Sequence, residues 1–552
     1  MFSHVASIAL LQLSSCASSA TDTTTLHYGL ENLAKIIRED VRVIAMGDSY
    51  TTPLWMRVPL ASIRTWPIPK VTAICGSAPQ NGQFIRALAE CSPVESLAWI
   101  DDEKYRIMRS TSTDNYFALP VRTIREVYTN SKFQPNTSDW LFQFRFDDSS
   151  MQSSPAGEFA NQSDQLKFRL LYWQSEEHEQ SVQKIKIKDL NTTIATLDLH
   201  QEARCLWHLN ENPETQTRVS VPLQINASGY DFTISNDVAN LLRVRIAENE
   251  SLTGTNKYFH PAGSVYYHTD EENKPEDGFY YSYMADDGWT LEGHGCNQIP
   301  IDELHKAYSE EQFTHWLDVT TLDRDQHVLF YWYFNVEWLH HDDVKVAMEN
   351  MIAQANRCTE DIGISSWSHL LVMPHMIKFG VLGNSPEAHE WMGETRDAML
   401  EIAMEQTNVA FASIYDATEG ILFDGSDEGV NWLVNNGFDS FECGENIYDL
   451  ANGPLEGDLL DAANLHPWGD ESGMFFASIL GNLIRESGCI GDLVTDGTID
   501  IHDLLIIIQN FGGNEQGDIN DDQIVNLLDL LLLVQNWGEC WPVQAPFSEP
   551  IR

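Results

Sequence analysis

The chain has 552 residues, with 33 Lys and Arg against 82 Asp and Glu, a formal net charge of −49. That balance excludes phosphate-backbone binding, which needs clustered cations, and the length suits about three domains. Hydrophobic residues at 43% and aromatics at 11% suffice for sizeable cores.

The N-terminus reads as an export signal. Residues 5–13 are mostly apolar, and residues 14–20 are small and polar, ending in Ser18-Ser19-Ala20. This patterning predicts a signal peptide over 1–20, with His4 and no Lys or Arg ahead of the apolar run. Leu13-Ser14-Ser15-Cys16 also resembles a bacterial lipoprotein processing site, which would put a lipid anchor on Cys16. Either reading places the chain in a secreted, periplasmic or cell-surface setting. No other segment has the apolar length of a membrane span. Eight further cysteines, among them Cys489 and Cys540, permit disulfides in an exported chain, and none forms a Cys-x-x-Cys pair.

Residues 30–38 read as a short amphipathic helix leading into an apolar, β-branched strand that ends in Gly47-Asp48-Ser49-Tyr50. In open α/β sheets the carboxyl end of a strand is where ligands bind, so Ser49 is a candidate nucleophile. Helices are expected at 82–90 and near 121–128. From about 141 to 283 short alternating runs recur between polar turns, including 166–173, 184–188, 218–223, 242–246, 263–267 and 279–283. That spacing predicts an antiparallel β-sandwich.

From about 284 to 487 the chain returns to α/β alternation. Helices are expected at 301–307, 344–355, 395–405 and 473–484, with strands at 327–333, 370–373 and 409–415. Strands separated by such helices predict a parallel sheet. A serine hydroxyl needs a base to take its proton and donors for the oxyanion it generates. Asn335, just past a strand, is a candidate oxyanion donor. His466, on a loop before the last helix of this segment, is a candidate base. Gly293 and Gly295, in a Gly-rich turn, offer backbone N–H groups.

These blocks, in this order, resemble the SGNH (GDSL-like) hydrolases over roughly 30–130 and 285–487. The resemblance implies a flavodoxin-like three-layer α/β/α core and carboxylic ester hydrolysis needing no cofactor. It makes Ser49 the nucleophile, His466 the base, and the Ser49 N–H, a Gly295 (or Gly293) N–H and the Asn335 amide the oxyanion hole. The family's Asp three residues before its His is replaced by Ala463; Asp461, the nearest upstream carboxylate, is the candidate to orient the imidazole, with a backbone carbonyl as the alternative. Tyr333 stands where the family has Gly, and Val336 where it has Asp. An alternative is a catalytically inactive relative that binds carbohydrate or a scaffold.

Residues 489–541 contain a repeat of period 26 and no Lys or Arg. Asp518, Asn520, Asp522, Asn526 and Asp529 fall at calcium-loop positions 1, 3, 5, 9 and 12, with the Ile524 carbonyl at 7. The first repeat offers Asp492, Asp496, Asp500 and Asp503, with Thr498 at the carbonyl position; Val494 cannot ligate at position 3, which predicts a weaker site. Cys489 and Cys540 bracket the module, and a disulfide between them would close it. Two loop-helix units of this kind resemble a type I dockerin domain, which implies structural Ca2+ and either a cohesin-like protein partner or, as the alternative, a calcium-stabilised end cap. The expected organisation is therefore signal 1–20, hydrolase core 21–140 and 284–487, β insertion 141–283, dockerin-like module 488–541 and tail 542–552. The expected substrate is an ester, with acetyl groups on a polysaccharide suggested by the accompanying modules.

Overall fold

A computed structural model gives the fold. It describes residues 26–47, 50–51, 58–66, 71–76, 261–285, 310–334, 341–378, 384–438, 440–443, 446–452, 455–461, 464–467 and 469–488. In the C-terminal segment it describes 491, 493–494, 498–513, 517, 519, 524–535 and 537–539, and between 98 and 259 thirteen short strands. The signal segment with Cys16, the expected helices at 82–90 and 301–307, and Cys489 and Cys540 lie outside the described residues.

The core is a parallel sheet. Its strands are β1 (Val41–Gly47), β2 (Val71–Gly76), β3 (Phe279–Ala285), β4 (His327–Tyr333), β5 (Trp367–Met373) and β6 (Val409–Ser413). They lie in the order β6-β5-β4-β1-β3-β2, each parallel to its neighbour. β1 is buried along its whole length, as expected of a strand covered on both faces. β4, β5 and β6 add on one side of β1, while β3 and β2 lie on the other, so the strand order reverses there. Ligands of open α/β sheets bind outside the carboxyl ends of strands at such a point.

Alternate residues of a strand face opposite sides, and β4 shows both covering layers. Tyr331 stacks on Trp66, at the end of helix α2 (Val58–Thr65), while Phe330 meets Phe313 of helix α3 (Glu310–Thr320). Helix α1 (Leu30–Ile36) and α2 both pack against the long helix Gly469–Gly488. On the α3 side, helices α4 (His341–Ile362) and α5 (Pro386–Glu405) pack in series. Three α/β/α layers result. Ser385 caps α5 by accepting from Ala388 N, and Pro386 opens its first turn, so the helix starts nine residues before the expected one.

Arg42 is the one charged residue of β1 and is buried. Its guanidinium donates to Ser282 Oγ (3.2 Å), Thr321 Oγ1 (3.0 Å) and Thr320 Oγ1 (2.6 Å). Both threonines donate onward to the last-turn carbonyls of α3, Trp316 O and Leu317 O. The cation thus sits at the negative end of a helix dipole, between the rings of Tyr280 and Trp316.

Two expectations are corrected. The run at 279–283, read as the end of the β-rich series, is β3, a parallel strand between β1 and β2. β2 therefore does not lie beside β1 as the flavodoxin-like order requires. Residues 279–284 are buried on both faces, and such a continuous run is the mark of a central parallel strand. The expected helix near 121–128 contains strand Thr123–Arg125, paired antiparallel with Ile107–Met108 and Tyr258–Phe259. Its Thr-Ile pair is β-branched and favours the sheet once partners are present.

The described strands of the β-rich stretch join the main sheet, a separate five-stranded sheet and two smaller antiparallel ones. Pro261–His268 and Leu166–Gln174 run antiparallel and extend the main sheet beyond β2, followed by Gln224–Ala227. Five others, Ala98–Trp99, Trp140–Arg145, Lys184–Asp189, Thr192–Asp198 and Leu241–Ile246, form a separate antiparallel sheet. Cys75 and Cys358 are buried and are not joined in a disulfide.

Candidate functional site

β1 and β4 end side by side, with Gly47 paired to Tyr333. A Cβ on Gly47 would lie 2.2 Å from Tyr333 O and 2.1 Å from Thr51 Oγ1, so only glycine fits. Thr51 Oγ1 donates to Tyr333 O at 2.6 Å, which ties the turn after β1 back to β4. Ser49, Asn335, Gly293, Gly295 and Ala463 lie outside the described residues. Ser49 is covalently followed by Tyr50, which is buried and described, and Asn335 follows β4 by two residues.

His466 sits on a tight loop. Leu460 and Pro467 form an antiparallel bridge at its neck, and Asp461 N donates to His466 O at 2.8 Å. Asn464 takes the left-handed conformation (φ 55°), which Asn tolerates better than most residues. Within the loop, the Asp461 carboxylate accepts from Leu465 N at 3.0 Å and lies 2.6 Å from His466 Nδ1. Burial pushes this carboxyl up, but the Leu465 amide and the His466 ring outweigh burial and hold it below the usual range. A carboxylate accepts only, so Nδ1 carries the proton and Nε2 bears the lone pair of the neutral ring. The Tyr50 ring lies edge-on to the His466 ring at 5.1 Å. The residue following Ser49 and the candidate base are therefore in contact.

Two residues not expected from the sequence complete the cluster. His375 is fully buried, 5.7 Å ring to ring from Tyr50, and stacks on Phe476 at 4.3 Å. Tyr333 is buried 6.0 Å from Tyr50. A signal for His375 exists in its place, two residues past β5 at the carboxyl edge of the sheet.

The C-terminal repeat folds on its own pseudo-symmetry. Its core pairs Ile499 with Val525 and Ile507 with Leu533, each 26 residues apart, flanked by Leu493 and Ile519, and Leu504 and Leu530. Ile499 pairs with Gly538, and Val525 exchanges backbone bonds with Gly512 and Gly513, so each loop is tied to the end of the other repeat. Asp500 caps helix Ile501–Asn510, and Asn526 Oδ1 accepts from Leu528 N at the start of Leu527–Gln535. Asp503 and Asp529 are fully buried. Asp503 accepts from Val494 N and Asp500 N, and Asp529 from Ile519 N and Asn526 N. The Ile524 carbonyl accepts from Asn526 Nδ2, and Thr498 is half-buried. Asp492, Asp496, Asp518, Asn520 and Asp522 lie outside the described residues, and among the described ones no three His, Cys, Asp or Glu gather as a metal group. The donor set fits a hard cation. Two buried carboxylates with no Lys or Arg in 489–541 have a charge that amide donors alone offset incompletely.

No family model and no curated protein matches the chain. Among solved structures it is similar to a peptidoglycan O-acetylesterase (11% identity, TM-score 0.36, 83% of this chain and 95% of that one). It is also similar to a Bacillus subtilis protein (9%, TM-score 0.26, 76% and 99%). A third is a carbohydrate esterase described as having divergent catalytic and non-catalytic binding functions (8%, TM-score 0.19, 67% and 98%). At these values the likenesses carry no functional weight.

Proposed function

We propose that this chain is a serine esterase of the SGNH type. The observation that carries the reading is the Asp461–His466 pair, 2.6 Å apart, against the ring of Tyr50. Ser49 Oγ attacks the ester carbonyl carbon as its proton passes to His466 Nε2. Asp461 holds Nδ1–H and stabilises the imidazolium that forms. The Asn335 amide and the Ser49 and Gly295 (or Gly293) N–H groups receive the oxyanion. Collapse expels the alcohol with the proton from His466 and leaves an acyl-serine. Water, deprotonated by His466, then releases the acid and restores Ser49. The competing reading, an inactive relative, is motivated by Ala463; Asp461 supplies the carboxylate missing there. Hydrolysis of a small acetyl ester, lost in His466→Ala, tests the assignment.

For the C-terminal module the proposed role is calcium-stabilised docking to a cohesin-like partner. The reading is supported by apolar side chains exposed in duplicate at the 26-residue offset: Ile501 and Leu527, Leu505 and Leu531, Ile508 and Val534, Phe511 and Trp537. When bound, calcium would supply the positive charge that fixes the loops. Asp503 would hold one ion and Asp529 a second, with Asp500 and Asn526 available only through water because their oxygens cap helices. An acylated polysaccharide as substrate rests on the accompanying modules rather than on the chemistry of the site.

A further inference from the structure

We infer that His375 is a positioning residue for His466, acting through Leu465. This deepens the esterase reading and rests on it. His375 Nε2 lies 3.0 Å from Leu465 O, the carbonyl bonded to the His466 nitrogen. A carbonyl can only accept, so Nε2 carries the ring proton, and Nδ1 of the neutral ring accepts from Tyr333 OH at 3.3 Å. Lys378 N donates to Asn464 O at 3.0 Å. Two successive carbonyls of the His466 loop are thus received by residues 375–378, the extension of β5.

The Asp461 contacts hold the loop together internally. They do not place it over the sheet. His375 does, because it connects four elements: the loop through Leu465, β4 through Tyr333, β5 through the chain, and helix Gly469–Gly488 through the stack on Phe476. Its ring is fully buried, so both bonds are shielded from competing water. Tyr333 gains a reason as well. Glycine at this position, as in the resembled family, would leave His375 Nδ1 without the hydroxyl.

The tests are His375→Ala, His375→Gln and Tyr333→Phe in the full chain. Glutamine can return an N–H near the Nε2 position, and Tyr333→Phe removes one hydroxyl while keeping the ring. Two readouts are taken: kcat and KM on a small acetyl ester, and the ring 15N shifts of His466 in histidine-labelled protein, assigned through His466→Ala. The expected result for His375→Ala is a kcat reduced about 10²-fold, since misplacement of a reacting group by about 1 Å costs that much, with KM nearly unchanged. Its His466 ring shifts should move from their wild-type values as the loop is displaced from the Tyr50 ring. Glutamine should recover much of both, and Tyr333→Phe should fall between. Unchanged His466 shifts and unchanged kcat in His375→Ala, or in Tyr333→Phe should His375→Ala not fold, would overturn the inference. If wild type hydrolyses no ester, the esterase reading fails separately. The 15N shifts then decide alone: moved shifts support positioning by His375 and unmoved shifts refute it.

Discussion

Asp461 Oδ2 lies 2.6 Å from His466 Nδ1, across a six-residue turn whose neck is the Leu460–Pro467 bridge. The carboxylate expected three residues before the histidine is absent, and a longer loop brings another to the same nitrogen. Asp461→Asn keeps the volume and removes the charge. The expected outcome is a kcat lowered by roughly 10²- to 10⁴-fold with KM little changed, the usual range for a disturbed acid–base group. Steady-state hydrolysis of an acetyl ester checks it.

Asp461 also gives the loop a pH dependence. Its folded carboxyl titrates below the ordinary value of 3.8. The linked stability is complete above the unfolded value and is lost as pH falls through the folded one. Asp461→Asn should therefore melt closer to wild type at pH 3 than at pH 7, read by thermal denaturation.

A larger acid sensitivity comes from His369. Burial lowers it from 6.5 to about 3, with Nδ1 accepting from Trp332 Nε1 and Nε2 donating to Asn356 Oδ1. Below pH 6.5 the unfolded chain takes up a proton that the folded one refuses. Stability from this residue is complete above that pH and declines down to about pH 3, by at most about 1.4 kcal/mol per pH unit. Urea unfolding of wild type and His369→Gln between pH 7 and 4.5 should give a shallower slope for the variant. Parallel slopes would refute the assignment.

Gly47→Ala should destabilise the chain by about 1–3 kcal/mol, the usual cost of overpacking, since the Tyr333 carbonyl is backbone and cannot rotate away. Urea denaturation measures this.

What the sequence discloses follows from local signals. β4 is legible to the residue, because His327–Tyr333 is a continuous apolar run between polar turns. The His466 loop is legible as a loop, but its bond to Asp461 depends on the left-handed Asn464, which no periodicity announces. The place of Phe279–Ala285 between β1 and β2 was hidden because alternation identifies a strand and not its sheet. His375 was hidden because its partners, Tyr333 and Leu465, lie 42 and 90 residues away in the chain. The 26-residue repeat was open to reading, since each unit carries its own core residues.

For that repeat, calcium titration by calorimetry should show two sites of unequal affinity, the weaker one in the loop carrying Val494. Asp529→Ala should remove the tighter site and Asp503→Ala the weaker. Chelation should lower the unfolding midpoint of the module, by an amount equivalent to about 2.7 kcal/mol when free calcium had stood at a hundredfold its Kd.

The central claim is that Ser49 is a nucleophile activated by His466. Labelling with a fluorophosphonate probe, followed by mass spectrometry of the modified peptide, tests it directly. The predicted result is one adduct on Ser49, absent in Ser49→Ala and strongly slowed in His466→Ala. Absence of any adduct on the folded wild-type chain, or an adduct that persists in Ser49→Ala, would contradict it.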